Sequence, residues 1–523
     1  WITSMIDEDS SNFAYAKEHG YFIKGMDGVE VIKWWHGHGA FIDYTNPEGL
    51  AWWHSQMDAL LDIGVDGFKT DGTDGFVYEM IEAIGYNGTH ISPREYATAY
   101  YSDFFNYPRS RSLPGPEGLI MCRPVDSFFN DFYHQFAPRD VVFAGWVGDQ
   151  DPTFSGLIDA LNNMFHSAWD GYVNFGSDIG GYRGGNDPPL GRSAQELIRW
   201  AQVGAFNPLM ENGGDNEHRP WMFASPLNDT TEIYKNFTLF HTSLKPFFLS
   251  AAAIAYQEGR SVMQPLAKKT LKNPDTFCYT LNGTLLICPV TEASPDNSTF
   301  ATAVKVIFPP TGKWSFWFDS AEVHAGGTSL TLLVPFQQAA VFQQVGSLLP
   351  LEIPLLHNPW AHLSTSNAPI FPAHPSGLSL LSPDQRLLLL ELRGLIPGQQ
   401  VMDITSHQRN GLHVDLQYEA AAGGLLKGMI SADARPTLLV LREIGWNANA
   451  NANANSAIWV NDREAMVLDD CAALSTPQWQ AWALQRTHSA LVCWEERERT
   501  LRLLPLAWEE GSLLEIRGLI SYL

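Results

Sequence analysis

Residues 47–71 constrain the fold more tightly than any other stretch. Asn46 and Pro47 open a helix, because asparagine caps free N–H groups and proline suits a first turn. Leu50, Trp53, Met57, Leu60 and Leu61 then recur on one helical face, and Gly64 ends the helix. Residues 65–69 follow as a short apolar strand that stops on Asp71. A helix laid on a strand through an apolar stripe is the repeating unit of a parallel α/β fold. The pattern recurs along residues 1–255. Residues 119–122, 141–144 and 172–175 are further strand candidates, and residues 194–203 form a helix that leads to Phe206-Asn207-Pro208-Leu209-Met210. Each strand end carries polar or glycine-rich sequence. In a barrel of such units, a carboxylate at the C-terminal end of a strand lies on the face where chemistry occurs.

Near residue 255 the texture changes. Residues 284–290, 303–308, 314–318, 329–334 and 339–342 read as strands punctuated by Gly, Pro and Asp. We therefore expect an incomplete (β/α)8 TIM-type barrel over residues 1–255. An antiparallel β-sandwich over 256–350 and a distal β-rich domain over 351–523 would follow it. The Asn-Ala repeat at 447–455 is low-complexity sequence that suits a solvated loop. A chain of 523 residues has room for several domains.

Charge narrows the partners. The formal net charge of −24 disfavours nucleic acid and anionic membranes, both of which repel such a surface. No membrane span is visible in the sequence. Five cysteines are sparse and lack paired metal-ligand spacing, so neither a disulfide framework nor a zinc site is indicated. No cofactor or metal is expected where two carboxylates suffice for the chemistry. Sequons at Asn87, Asn228, Asn236, Asn282 and Asn297 would suit the secretory pathway, though a chain this long collects about three by chance. Oligomeric state is not legible.

The candidate chemistry lies at two strand ends. Asp71 closes Gly67-Phe68-Lys69-Thr70-Asp71, and Asp149 lies in Trp146-Val147-Gly148-Asp149-Gln150-Asp151 after the strand at 141–144. Two such acids, in a chain with 18 Trp, 17 Tyr and 29 Phe, fit sugar hydrolysis by a carboxylate pair. Each also has a plainer reading. Asp71 would equally cap the next helix, and Asp151 rivals Asp149 from two positions away. Arg123, at the end of its strand, would bind a hydroxyl or orient a carboxylate, or else sit on the surface. Trp34, Trp35 and Trp146 are sugar platforms or core residues.

In order along the chain, several segments resemble glycoside hydrolase family 31, the retaining α-glucosidases, α-xylosidases, α-galactosidases and their relatives. Phe41-Ile42-Asp43-Tyr44-Thr45-Asn46-Pro47, Gly67-Phe68-Lys69-Thr70-Asp71 and Trp146-Val147-Gly148-Asp149 with Thr153, Phe154 and Leu157 carry the likeness. So do Ser177-Asp178-Ile179-Gly180-Gly181 and Arg199-Trp200 with Pro208-Leu209-Met210. Leu285-Leu286-Ile287-Cys288-Pro289-Val290, Gly312-Lys313-Trp314 and Val345-Gly346-Ser347-Leu348-Leu349-Pro350 extend it to about residue 350. By this resemblance a β domain and the first barrel strands would lie upstream of Trp1.

The resemblance implies that Asp71 is a nucleophile and Asp149 the general acid/base, favoured over Asp151 by its spacing to Thr153, Phe154 and Leu157. It implies sugar contacts for Asp178. On the residues themselves, Lys69 on the same strand face would hold the charge of Asp71 and contact a sugar hydroxyl, and Arg123, Trp146 and Trp35 would line the substrate. Many relatives carry Arg-Asn-His after the Pro-Leu-Met element. Here Glu211-Asn212-Gly213 stands in its place, and His218 or Arg219 would substitute from further along the loop. The implied activity is hydrolysis of terminal α-linked sugars from an oligosaccharide or glycoside, α-glucosidase-like. An α-galactosidase, a transglycosylase and an inactive carbohydrate-binding fragment are the alternatives.

Overall fold

The computed structural model describes residues 3–354 except 27, 30, 35, 72–76, 78–82, 112–117, 127–133, 136, 186–189, 227–228, 270–273 and 319–322. It also describes the strands between 386 and 521. The chain forms two compact units. One comprises Trp1–Gly184, Pro208–Asp215 and Lys269–Asn273; the other comprises Gly185–Asn207, Asn216–Lys268 and Pro274–Leu523.

In the first unit, β1 (Met5–Asp7) pairs antiparallel with β2 (His38–Phe41). Helix α1 (Ser11–Glu18) stands between them in sequence, and α2 (Pro47–Leu61) follows. Asn46 accepts from the N–H groups of Glu48 and Gly49, and Pro47 occupies the first turn. Asp43 accepts from the backbone and hydroxyl of Thr45, which fixes the turn into the helix. Gly49, Trp53, Met57 and Leu61 form the buried stripe. Leu60, expected on that face, is exposed, because the stripe repeats every four residues and leaves position 60 a full helical step aside.

The parallel wall then begins. Strand β3 (Gly67–Lys69) pairs with β4 (Leu119–Cys122), with Lys69 opposite Met121, and β4 pairs with β5 (Ala144–Gly145). Parallel bridges join Trp146 to Gly176 and Asp178 to Glu211. Helices α3 (Pro93–Ser110) and α4 (Phe154–Trp169) fall between strands in the chain. Ser92 and Glu95 close a capping box on α3, and Thr153 caps α4. Neighbouring strands approach closely through glycine. A Cβ on Gly67 would lie 2.0 Å from the Leu119 carbonyl oxygen, and one on Gly176 would lie 2.0 Å from that of Leu209.

The second unit contains α5 (Ala194–Ala205), α6 (Thr230–Ser243) and α7 (Lys245–Glu258). Its first sheet runs β6 (Met263–Pro265), β7 (Tyr279–Leu281), β8 (Leu285–Cys288), then Ala340–Gln344, Lys313–Phe316 and Val323–Ala325. A separate antiparallel pair joins Thr302–Ile307 to Ser329–Val334. Leu286, Val304, Val306, Phe308, Trp314 and Phe342 form a shared core. The strands from 348 onward form two six-stranded sheets and one two-stranded pair.

Cys278 and Cys288 are joined by a disulfide. The low cysteine count predicted no such framework. The hairpin of β7 and β8 pairs Tyr279 with Ile287, which brings the flanking positions 278 and 288 opposite one another.

Arg199, on α5, is fully buried. Its guanidinium donates to the carbonyls of Pro335, Gln338, Phe300 and Val334 and to the Gln202 side chain, at 2.8–3.2 Å. Replacement by methionine leaves these buried acceptors without a donor. Arg199→Met is expected to cost about 3 kcal/mol or more of this unit's stability, read as a fall in the denaturant midpoint.

Among the described residues, no helix is long and apolar enough to cross a membrane. Asn87 and Asn297 are exposed and Asn236 and Asn282 half-buried, whereas Asn228 and the Asn-Ala repeat lie outside the described residues.

Candidate active site

The strand ends of the first unit bring Lys69, Asp71, Arg123, Trp146, Asp149, Asp178 and Glu211 into one cluster. Pairing dictates this. Lys69 lies level with Met121, so Asp71 and Arg123 both emerge just past the last rungs of adjacent strands. Asp149 follows Gly148, whose φ of +85° turns the chain sharply after β5.

Arg123 is the centre of the cluster. Its Nε and Nη2 donate to one oxygen of Asp71, at 3.2 and 3.0 Å, and Nη2 also donates to Asp149 at 3.1 Å. One nitrogen therefore serves both acids. Their bonded oxygens lie no further apart than the sum of two such bonds, which lets both acids face one glycosidic bond. Asp71 is buried, while the side chain of Asp149 is 31% exposed. The Tyr100 hydroxyl donates to the backbone carbonyl of Asp71 from α3, which steadies the strand end.

This arrangement separates the two acids near the turn. Asp149 faces Arg123, whereas Asp151 pairs with Arg183 at 3.1 Å with most of its side chain in solvent. Asp74 and Trp35 lie outside the described residues.

Two expectations change. Lys69, expected to hold the charge of Asp71, instead pairs with Glu211 at 2.7 Å, and the cation bound to Asp71 is Arg123. The lysine stem reaches across to the strand end at 211 because the chain returns there in register with Asp178. Trp146, expected as a sugar platform, is 1% exposed. The Lys69 ammonium lies 4.3 Å from its ring centre and the Arg123 guanidinium 5.1 Å. Its ring supports the two cations and offers no open face to a sugar.

Asp178 is 1% exposed, and neither carboxylate oxygen has a hydrogen-bond partner among the described residues. Burial, then the charge of Glu211, pushes its pKa up to about 8, against the pull of Lys69 and Arg123. One oxygen of Glu211 is likewise buried without a partner. Orphaned buried acceptors are rare, and in a cleft they mark where a ligand's donors belong.

Sequence reasoning missed Glu211 and Tyr182. Glu211 was visible only as a departure from the family's Arg-Asn-His. Tyr182 follows the Gly180-Gly181 turn. Burial raises its hydroxyl, and Asp149 and Asp178 raise it further.

His218 and Arg219 belong to the second unit. There His218 meets Arg192, and Arg219 makes a two-pronged pair with Glu217.

A family model described as "Glycosyl hydrolases family 31 TIM-barrel domain" matches residues 1–251. An alpha-xylosidase of Emericella nidulans is 25% identical over 367 residues, which is 68% of this chain and 44% of the relative. The neutral alpha-glucosidase AB of Mus musculus is 27% identical over 353 residues, covering 64% and 35%. The cycloalternan-forming enzyme from Listeria monocytogenes, solved with a pentasaccharide substrate, superposes with a TM-score of 0.75. Its identity is 17%, with coverage of 99% of this chain and 45% of that one. At that identity the likeness speaks for fold alone. The chain spans less than half the length of each of these relatives.

Proposed function

Residues 1–251 make this chain a member of glycoside hydrolase family 31, and on that premise we propose that it is a retaining, exo-acting α-glycosidase, α-glucosidase-like in its substrate. Asp71 attacks the anomeric carbon, and Asp149 protonates the departing oxygen and then activates water. Asp178 accepts from hydroxyls of the terminal sugar. The observation that carries this reading is the shared Arg123, one nitrogen of which holds both acids at a single site.

The chemistry follows from charge. A nucleophilic carboxylate must stay ionised, and the Arg123 guanidinium against Asp71 favours that form. The more open Asp149 lies where a leaving group and then water have access. An acceptor sugar in place of water would give transfer from the same intermediate. The architecture we propose with it is a barrel over 1–255, a β-sandwich over 256–350 and a distal β-rich domain over 351–523. The helices of residues 154–258, the antiparallel pairings between 263 and 344 and the mixed sheets beyond 348 support that division.

The test is trapping. Incubation with 5-fluoro-α-glucosyl fluoride, which slows breakdown of the intermediate, followed by peptide mass analysis is expected to place one glycosyl label on Asp71. Turnover with the label on another residue, or with none at all, removes the assignment. Product analysis with and without added glucose or maltose separates hydrolysis from transfer.

A further inference from the structure

Glu211 stands where the family pattern has an arginine, and its setting is unusual for a structural ion pair. One oxygen takes the Lys69 ammonium at 2.7 Å; the other is buried with no partner. Across the parallel bridge lies Asp178, with both oxygens buried and unpartnered. Three buried oxygens therefore lie together with no hydrogen-bond partner among the described residues. A plain salt bridge would explain the Lys69 contact but leaves these three atoms unexplained, and burying acceptors without donors is costly.

Charge points the same way. Asp71, Asp149 and Glu211 share the cluster with two cations, Arg123 and Lys69, and Asp178 adds a fourth acid that keeps its proton up to about pH 8. Arg123 already serves two carboxylates and Lys69 a third. A ligand that brings another negative charge meets a surplus of its own sign at low dielectric, whereas hydroxyl donors meet waiting acceptors. The upward shift of Asp178, caused by burial and by Glu211, reports the same surplus.

We propose that Glu211 and Asp178 together form a wall that reads hydroxyls on the non-reacting edge of the terminal sugar, and that this wall admits uncharged sugars while turning away those bearing a carboxylate or sulfonate. Lys69 holds Glu211 in place, so Glu211 is the specificity-determining residue of this wall. The inference rests on the glycosidase reading for where the sugar sits, but it makes a claim about binding that stands apart from turnover.

The full chain is compared with Glu211→Gln, which keeps shape and removes charge, and with Glu211→Asp, which keeps charge and shortens reach. Thermal melting and near-UV circular dichroism confirm folding. Kinetics use p-nitrophenyl α-glucoside, its 3-, 4- and 6-deoxy analogues, and p-nitrophenyl α-glucuronide. Calorimetry measures binding of glucose and glucuronate. Glu211→Gln is expected to lose about 10- to 100-fold in kcat/KM on the parent glucoside, mostly through KM. It is expected to lose little on the one deoxy analogue that lacks the contacted hydroxyl, and to narrow the glucose-over-glucuronate preference at least tenfold. Glu211→Asp loses the hydroxyl contact but keeps the preference for the neutral sugar. An equal loss on every deoxy analogue, or a wild type that binds glucuronate as well as glucose, overturns the proposal. Absent turnover with the binding preference intact would sink the glycosidase reading and leave this one standing. Turnover with no analogue-dependent loss would do the reverse.

Discussion

Asp71→Ala is expected to lower kcat at least about 10⁴-fold, the scale on which removal of a nucleophile acts when the rest of a site is retained. Its partner Asp149→Ala is expected to lose less on substrates with a good leaving group, because p-nitrophenolate departs without a proton. Azide distinguishes the two roles. In Asp71→Ala the anion takes the vacated place of the carboxylate and yields a β-glycosyl azide, with configuration inverted. In Asp149→Ala the glycosyl–Asp71 ester still forms, azide attacks from the side that water would use, and an α-glycosyl azide results. Chromatography or proton NMR of the products reads the anomer directly. Two α-azides, or two β-azides, would mean that the residues do not hold these complementary positions. Both variants leave Arg123 with one carboxylate fewer, so a melt must accompany the kinetics.

Asp178→Asn is expected to lower kcat/KM on the preferred glycoside about 10³-fold and to stabilise the protein at the same time. The folded protein holds the Asp178 proton up to about pH 8, whereas an exposed aspartate releases it near its ordinary value of 3.8. Between those limits the unfolded chain binds fewer protons than the folded one, so this residue makes stability fall as pH rises from about 4 to about 8. The amide has no such penalty. Wild type and variant should therefore melt alike below pH 4, with respect to this group. They should diverge through the window and differ by a few kcal/mol, an upper figure, above pH 8. A melting difference that does not depend on pH would contradict the burial of this carboxylate. The opposite movements of stability and activity are the mark of a residue kept for binding at the expense of the fold.

The sequence made some of this arrangement legible and concealed the rest. Asp71 and Arg123 were found because each follows a short apolar strand, and Asp149 because it lies in the glycine turn after one, which are local signals. Asp178 came instead from the resemblance of its Gly180-Gly181 loop to the family. The α2 helix was found from its cap and its stripe for the same reason. Glu211 was not assigned, because its meaning depends on Lys69, 142 residues away, and on a bridge to Asp178. No local pattern encodes that pairing. Trp146 looked like a sugar platform because aromatic character is legible and burial is not; only the packing of Lys69 and Arg123 over its ring decides which role it has. Asp149 and Asp151 are two residues apart, so separating them required the turn at Gly148 and the neighbouring arginines. The Cys278–Cys288 bridge followed from hairpin register, which a cysteine count ignores.

The nitrogen held in common by Asp71 and Asp149 has a consequence for timing. Under the proposed roles, Asp71 is an anion while the leaving group departs, and it competes with Asp149 for that guanidinium. Its negative field also favours the protonated form of its neighbour, which is the form a proton donor needs. Once Asp71 is esterified, its charge is gone and Asp149 no longer shares the Arg123 nitrogen with another anion, which favours the ionised form that withdraws a proton from water. A single fixed arginine can thus act as a balance beam between the two halves of the cycle, tilted by the covalent step itself and needing no moving part.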